Sequence, residues 1–357
     1  MKKIVISTGG GDAPGLNAVI YAVVHACYRK GWEVYGSRNG YGGFLDIDEM
    51  IRLFPRDVEG IYSTGGTILG STNKGNPFSR PVRNLAGEIQ IIDVSDKILR
   101  NFNRMGFDCH IAIGGDGSLD IAHRFAEKGM PVIGVPKTID NDLEKTNRTF
   151  GFDTAVSTAT EALDKLHSTA KSHNRVMVVE VMGRDSGWIA LYSGISGGAD
   201  VILIPEIPFD IEEVCSHLKA RYEKGKNFSI VVVAEGAKPK EGGMVVTQSD
   251  ETDEFGHVRL GGIAHSLSRE IKNRLNVDTR VTILGHVQRG GTPTAHDRVL
   301  ATRFGVKAVE LIRDENFGMM AALQGDDIVP VTLEEAVSHS KTVKMELYEI
   351  AKIFFGR

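Results

Sequence analysis

Ile4-Val5-Ile6-Ser7-Thr8-Gly9-Gly10-Gly11-Asp12-Ala13-Pro14-Gly15 is the stretch from which the fold is read. Its first half is β-branched and does not alternate with polar residues, as in a strand covered on both faces. Its second half is glycine-rich and then sets Asp12 near the cap and Pro14 in the first turn of an expected helix. Leu16, Val19, Val23 and Cys27 fall on one face of that helix. Similar apolar runs at Ile111 to Ile113, Val132 to Val135, Val176 to Val181, Val201 to Ile204, Ile230 to Ala234 and Val281 to Leu284 predict further strands. Helical periodicity predicts helices over about 153–171, 209–224, 261–274 and 294–312. The alternation predicts an α/β fold with mainly parallel sheets and helices on both faces.

The 357 residues carry 42 Lys+Arg against 46 Asp+Glu, a net charge of -4, with 41% apolar, 25% charged and 7% aromatic residues. That balance excludes a disordered tail, a collagen-like polymer and a polybasic nucleic-acid binder, so no nucleic-acid partner is expected. No apolar run approaches the ~20 residues of a membrane helix, and the start is too short in its apolar part for a signal peptide. The expectation is a cytoplasmic protein with no membrane partner. Cys27, Cys109 and Cys215 lack metal-ligand spacing and read as buried small apolar residues. The 41 glycines are clustered, which marks tight bends and close approaches.

No linker separates two halves, so two Rossmann-like lobes are expected to exchange segments. The expected borders are 1–140 plus about 253–306 for a nucleotide-binding lobe, and about 141–252 plus 307–357 for a sugar-phosphate-binding lobe. Ligands of open α/β sheets sit beyond the carboxyl ends of strands, where five of the seven runs meet glycine or charged clusters. Gly9 to Gly15 offers backbone N–H groups and a helix start to an anion, or is a tight turn alone. Gly114-Gly115-Asp116-Gly117-Ser118 repeats that setting with a carboxylate inside it, which suits phosphate with Mg²⁺; otherwise Asp116 is an N-cap. Pro136-Lys137-Thr138-Ile139-Asp140-Asn141-Asp142 puts two carboxylates on one side of an extended segment, one of them a candidate base, or forms an Asx-rich turn. Arg184 and Arg289, beside glycines at strand ends, suit a bidentate grip on phosphate oxygens.

Taken in order, Gly10 to Gly15, Gly114 to Ser118, Pro136 to Asp142, Val181 to Arg184 and His286 to Gly291 resemble the 6-phosphofructokinase family over nearly the whole chain. The resemblance implies transfer of the terminal phosphoryl group of ATP to the 1-hydroxyl of fructose 6-phosphate, in glycolysis. It also implies a homotetramer or homodimer with sites shared between subunits. By the same resemblance, Gly11, Gly115, Asp116, Gly117 and Ser118 would cradle the nucleotide phosphates, with Asp116 the magnesium carboxylate. Asp140 would be the base, with Thr138 and Ile139 beside it, and Arg184 would steady the moving phosphoryl group. Met182 and Gly183 would line the sugar pocket. Glu235, His286, Val287, Gln288 and Arg289 would hold the sugar phosphate, and Arg175 and Arg280 would reach in from a neighbouring subunit.

The departures from that family concern the donor and the regulation. Pyrophosphate-using members carry a lysine at Lys137 together with Asp at the position of Gly117, whereas here glycine leaves room for a nucleotide's inner phosphate. ATP is the expected donor. Near Gly70-Ser71-Thr72-Asn73-Lys74 an arginine of ATP-dependent bacterial relatives is missing, and Lys74 or Arg80 would take its place. Tyr21, His25 and His167 stand where regulated relatives have arginines, although Lys224-Gly225-Lys226 survives, so weak control by ADP and phosphoenolpyruvate is expected. Rivals are a pyrophosphate-dependent enzyme, a kinase of another sugar phosphate, and a nucleotide-sensing protein without chemistry. Lipid and NAD kinases share the Gly-Gly-Asp-Gly loop but not the strings at 138–142 and 286–291.

Overall fold

In the computed structural model, which describes residues 1–72, 75–83, 87–240 and 261–356, the apolar runs become strands, buried on both faces except for the last, Val281 to Leu284, whose strand is a partly exposed sheet edge. In the first part of the chain lie β1 (Lys3–Thr8), β2 (Glu33–Ser37), β3 (Met50–Leu53), β4 (Arg80–Arg83), β5 (Ile89–Ile92), β6 (Cys109–Gly114), β7 (Val132–Thr138) and β8 (Phe150–Gly151). They are followed by β9 (Val176–Val181), β10 (Val201–Leu203), β11 (Ser229–Ala234), β12 (Thr279–Ile283), β13 (Met319–Gln324) and β14 (Asp327–Thr332). One sheet has the order β14-β13-β7-β6-β1-β2-β3, with β8 also paired to β7. Its inner pairs are parallel, and its edge pairs β2–β3 and β13–β14 are antiparallel. The second sheet, β10-β11-β9-β12, is parallel throughout. β4 and β5 form a separate hairpin.

Side-chain alternation divides each sheet between two cores. Ile4 and Ile6 pack with the helices Leu16–Tyr28 and Ala295–Arg313, while Val5 faces the helices Ser95–Met105 and Asp116–Glu127. Met177 and Val179 of β9 pack with the helices Phe152–His173 and Trp188–Ser196, while Val176 and Val178 face Ile211–Glu223 and Ile263–Leu275. Each such buried side chain contributes about 1.5–3 kcal/mol, which explains why the runs show no polar alternation. The three cysteines are free and buried.

Three expectations are corrected. The first helix begins at Leu16, after Gly15 at φ 107°, so Asp12 and Pro14 precede it instead of opening it. A Cβ on Gly15 would lie 2.8 Å from the Phe150 ring, and this crowding, with the left-handed backbone, turns the chain before the helix can start. Four strands of the first sheet, β2, β3, β13 and β14, are not among the expected runs: β2, β3 and β14 mix polar with apolar residues, and β13 is built mainly of Met and Ala instead of β-branched residues. The sheets also divide the chain differently from the expected borders. The helix Ile263–Leu275 and β12 belong to the second sheet, where β12 pairs with β9. The helix Ala295–Arg313 with β13 and β14 completes the first, and Val343, Tyr348 and Ala351 return to the second core. Shared apolar faces set these memberships, not the polar strings from which the borders were read.

Candidate active site

The carboxyl ends of β1, β6 and β7 in one sheet and of β9 and β12 in the other lead into a single cleft. Gly10, Gly11 and the turn Gly115 to Ser118 form one wall, Lys137, Thr138 and Asp140 the floor, and Arg184 and Arg289 the other wall. On the first wall the two loops touch. A Cβ on Gly114 would sit 2.2 Å from the Cβ of Ser118, so only glycine permits this approach. Gly10 donates its N–H to the Thr72 carbonyl at 3.0 Å, and Ser71 Oγ donates to the Gly10 carbonyl at 2.6 Å. Gly115 is the N-cap and Asp116 the first residue of the helix Asp116–Glu127, whose opening N–H groups have no partner within the helix. The Asp116 carboxylate is therefore free of a capping role, and its Oδ1 lies 3.9 Å from Arg184 Nη1.

On the floor, the Lys137 ammonium is buried and donates to the Gly11 carbonyl at 2.5 Å. Burial, reinforced by Arg289 and Arg184, lowers it to about 8. Asp140 is 4% exposed; its N–H donates to Thr138 Oγ1 at 3.0 Å, and its Oδ1 has no partner among the described residues. The segment is not extended as expected, because Asn141 takes φ 54° and bends it. Asp142 is buried too, and its carboxyl is raised, first by burial and then by the Asp140 charge, so the pair does not share two full negative charges. Ile139 points away, fully buried in the second core, so only its main chain is at the cleft.

Arg184 projects from a strained turn, with Gly183 at φ 144° and Arg184 itself at φ 51°. Glu235 Oε1 accepts both their N–H groups, at 3.3 and 3.0 Å, and burial pushes its carboxyl up to about 7. Met182 is half-buried against the second core. Arg289 spans back to the first wall, donating to the Asp12 carbonyl at 3.2 Å, with Nη1 2.8 Å from a Cβ built on Gly11.

The remaining expected residues divide by position. Gly285–Gln288 is a 3-10 turn that leaves His286 and Val287 exposed at the rim and turns Gln288 inward, where its amide donates to the Gly285 carbonyl. Gln288 is fully buried and is not among the residues that line the cleft. Arg175 and Arg280 lie toward the amino ends of β9 and β12, both paired with Asp278, roughly 20 Å of strand from Met182. They do not enter the cleft of their own chain. Arg80 lines an adjoining cavity of about 310 Å³ together with Tyr41, Thr72, Val94 and Ile98. A small space bounded by Tyr41, Thr72 and Ser118 lies between that cavity and the cradle. Lys74 lies outside the described residues.

Sequence reasoning missed Tyr41, whose hydroxyl is buried without a partner among the described residues and which lines this cavity. No motif surrounds it; only the fold brings it near Ser118. Among the described residues no group of three or more His, Cys, Asp or Glu side chains could hold a metal ion. A single carboxylate beside a phosphate cradle fits Mg²⁺, which takes most of its ligands from phosphate and water. No described helix is long and apolar enough to cross a membrane.

A family model described as Phosphofructokinase matches residues 3–312. The ATP-dependent 6-phosphofructokinase 2 of Clostridium perfringens is 52% identical over 97% of this chain and 94% of its own. The pyrophosphate--fructose 6-phosphate 1-phosphotransferase of Amycolatopsis mediterranei is also 52% identical, over 99% of this chain and 100% of its own. Among solved structures, phosphofructokinase of Pichia pastoris in the T-state superposes with a TM-score of 0.80 at 32% identity, covering 99% of this chain and 36% of that longer one.

Proposed function

The chain belongs to the phosphofructokinase family, and on that premise we propose that it moves the terminal phosphoryl group of ATP onto the 1-hydroxyl of fructose 6-phosphate. The observation that carries this reading is the meeting of Asp116, Asp140, Arg184 and Arg289 in one cleft, from four segments far apart in sequence. The sugar oxygen forms a bond to the terminal phosphorus as the bond to the ADP oxygen breaks. The hydroxyl proton passes to Asp140, whose buried, unpartnered Oδ1 is free to accept it. Thr138 holds the Asp140 main chain, and Arg184 balances charge on the phosphoryl oxygens in flight. Lys137 and the opening N–H groups of the helix Asp116–Glu127 bind the donor phosphates. Asp116 would hold Mg²⁺, which would neutralise charge on the leaving phosphate. Glu235, Arg289 and His286 would hold the sugar phosphate, and Arg175 and Arg280 would serve the site of a second copy in a homodimer or homotetramer.

ATP is favoured as donor because a cavity of about 310 Å³, roomy enough for a nucleoside, lies beside the cradle, and Gly117 places no side chain in the phosphate turn. Pyrophosphate is the second reading. Lys137 sets an ammonium on the phosphate loop that a small donor could use without any nucleoside, and the relatives carry both names. The test is the formation of fructose 1,6-bisphosphate with each donor, repeated for Asp140→Asn. Turnover with ATP, and a fall in kcat of about 10²–10⁴ in the variant with sugar affinity nearly unchanged, are expected. Turnover with pyrophosphate alone would overturn the donor assignment, and a fully active Asp140→Asn would remove the base.

A further inference from the structure

Behind the cleft, the segment 338–344 runs against the two limbs that carry Asp140 and Arg184. Lys341 is its centre. Its main-chain N–H donates to the Asp142 carbonyl at 2.7 Å, and its ammonium donates to Asn141 Oδ1 at 3.2 Å and to the Thr146 carbonyl at 2.8 Å. Its own carbonyl accepts the Trp188 indole N–H at 3.0 Å, and its ammonium stands 5.4 Å from the centre of that ring. Two residues on, the Val343 N–H donates to Glu206 Oε1 at 3.0 Å, and the same oxygen accepts the Gly187 N–H at 3.0 Å. Trp188 and Gly187 begin the helix that follows Arg184. One short segment thus joins the backs of both limbs.

The joint matters most at Asn141, which is fully buried and left-handed at φ 54°. A non-glycine residue holds that conformation only where its surroundings fix it. Here two donors converge on Asn141 Oδ1, the Lys341 ammonium and the Thr149 N–H at 3.1 Å. Asp140 is the next residue back, so the angle of the turn at Asn141 sets where its carboxylate points. We infer that Lys341 is a positioning residue for phosphoryl transfer, which aims Asp140 by locking the turn at Asn141 from outside the cleft. The inference rests on the reading of Asp140 as the base. It concerns kcat alone, since Lys341 lies behind the residues that line the cleft.

Lys341→Met keeps the stem and the main-chain bond but removes the donor. Steady-state kinetics with ATP and fructose 6-phosphate, normalised to the folded fraction and taken well below the melting temperature, should show kcat lowered about ten- to a hundredfold. Both KM values should stay within about twofold, and Lys341→Arg should recover most of the loss. In an Asp140→Asn background, Lys341→Met should cost nothing more, because there is no longer a base to aim. A wild-type kcat, a loss that only tracks unfolding, or a loss that multiplies with that of Asp140→Asn would overturn the proposal. Full activity of Asp140→Asn by itself would instead overturn the assignment of the base. If Lys341→Met does not fold, Trp188→Phe, which removes the indole donor and part of the ring at the same joint, is read by the same measures.

Discussion

The two walls of the cleft are built by opposite means. The first-sheet wall is main chain, two glycine loops and a helix start packed so closely that Gly114 admits no side chain. The second-sheet wall is long side chains, Arg289 and Arg184, the latter raised on a strained turn that Glu235 pins from below. A wall of main chain has no rotamers to lose and keeps one shape, whereas arginines can follow charge as it moves between donor and acceptor. The first wall should therefore fail through stability and donor binding together, and the second through rate.

Arg184→Ala tests the second half of that contrast with the largest effect. Turnover should fall by about 10³ or more. The melting temperature should move by no more than about 2–4 °C, the equivalent of roughly 1 kcal/mol, as read by calorimetry beside the assay. Equal loss in both measures would erase the distinction between the walls. Gly114→Ala should show the reverse, a loss of about 1–3 kcal/mol from overpacking against Ser118, with a raised KM for the donor. Adding Ser118→Gly should recover part of that stability, and a failure to do so would place the strain elsewhere.

Glu235 sharpens the comparison through pH. Its carboxyl rises from 4.5 to about 7 on burial, so the unfolded chain releases this proton before the folded one. Stability contributed by the protonated form is complete below 4.5 and is lost as pH rises through 7. Glu235→Gln escapes that loss. It should melt above the wild type at pH 8, by on the order of 1–3 kcal/mol, with the gap closing below pH 4.5. A gap that is the same at both pH values would reject the linkage. The smallest effect belongs to Lys137, which reaches from the floor to the Gly11 carbonyl of the glycine wall. Its ammonium is lowered to about 8, so donor KM should climb severalfold from pH 7 to 9 in the wild type and stay flat in Lys137→Met.

The inner strands were legible because burial on both faces leaves an unbroken apolar run, as in Ile230 to Ala234. The edges were not, since β14 places Pro330 and exposed polar residues among its apolar ones, as an edge strand can. At the site, Asp116, Asp140, Arg184 and Arg289 sit beside glycine-rich loops at strand ends and could be read from spacing and resemblance. Gln288 could not be placed, because a 3-10 turn decides which of four neighbours faces inward. Lys341 carried no signal at all. It lies in an ordinary polar stretch, and its partners are about 200 residues away in sequence.

The order in which the strands are used has a consequence for synthesis. β13 and β14 add to the sheet that β1 began, more than 300 residues earlier, and the helix Ala295–Arg313 packs against the helix Leu16–Tyr28. While the ribosome is making residues 139–318, the first sheet must wait with the flank of β7 that β13 will take still open. Closing it late joins contacts of very large sequence separation, which slows folding and leaves an open edge to other nascent chains. A message cut short before codon 319 would therefore yield a polypeptide with every residue of the cleft and no finished sheet to hold them.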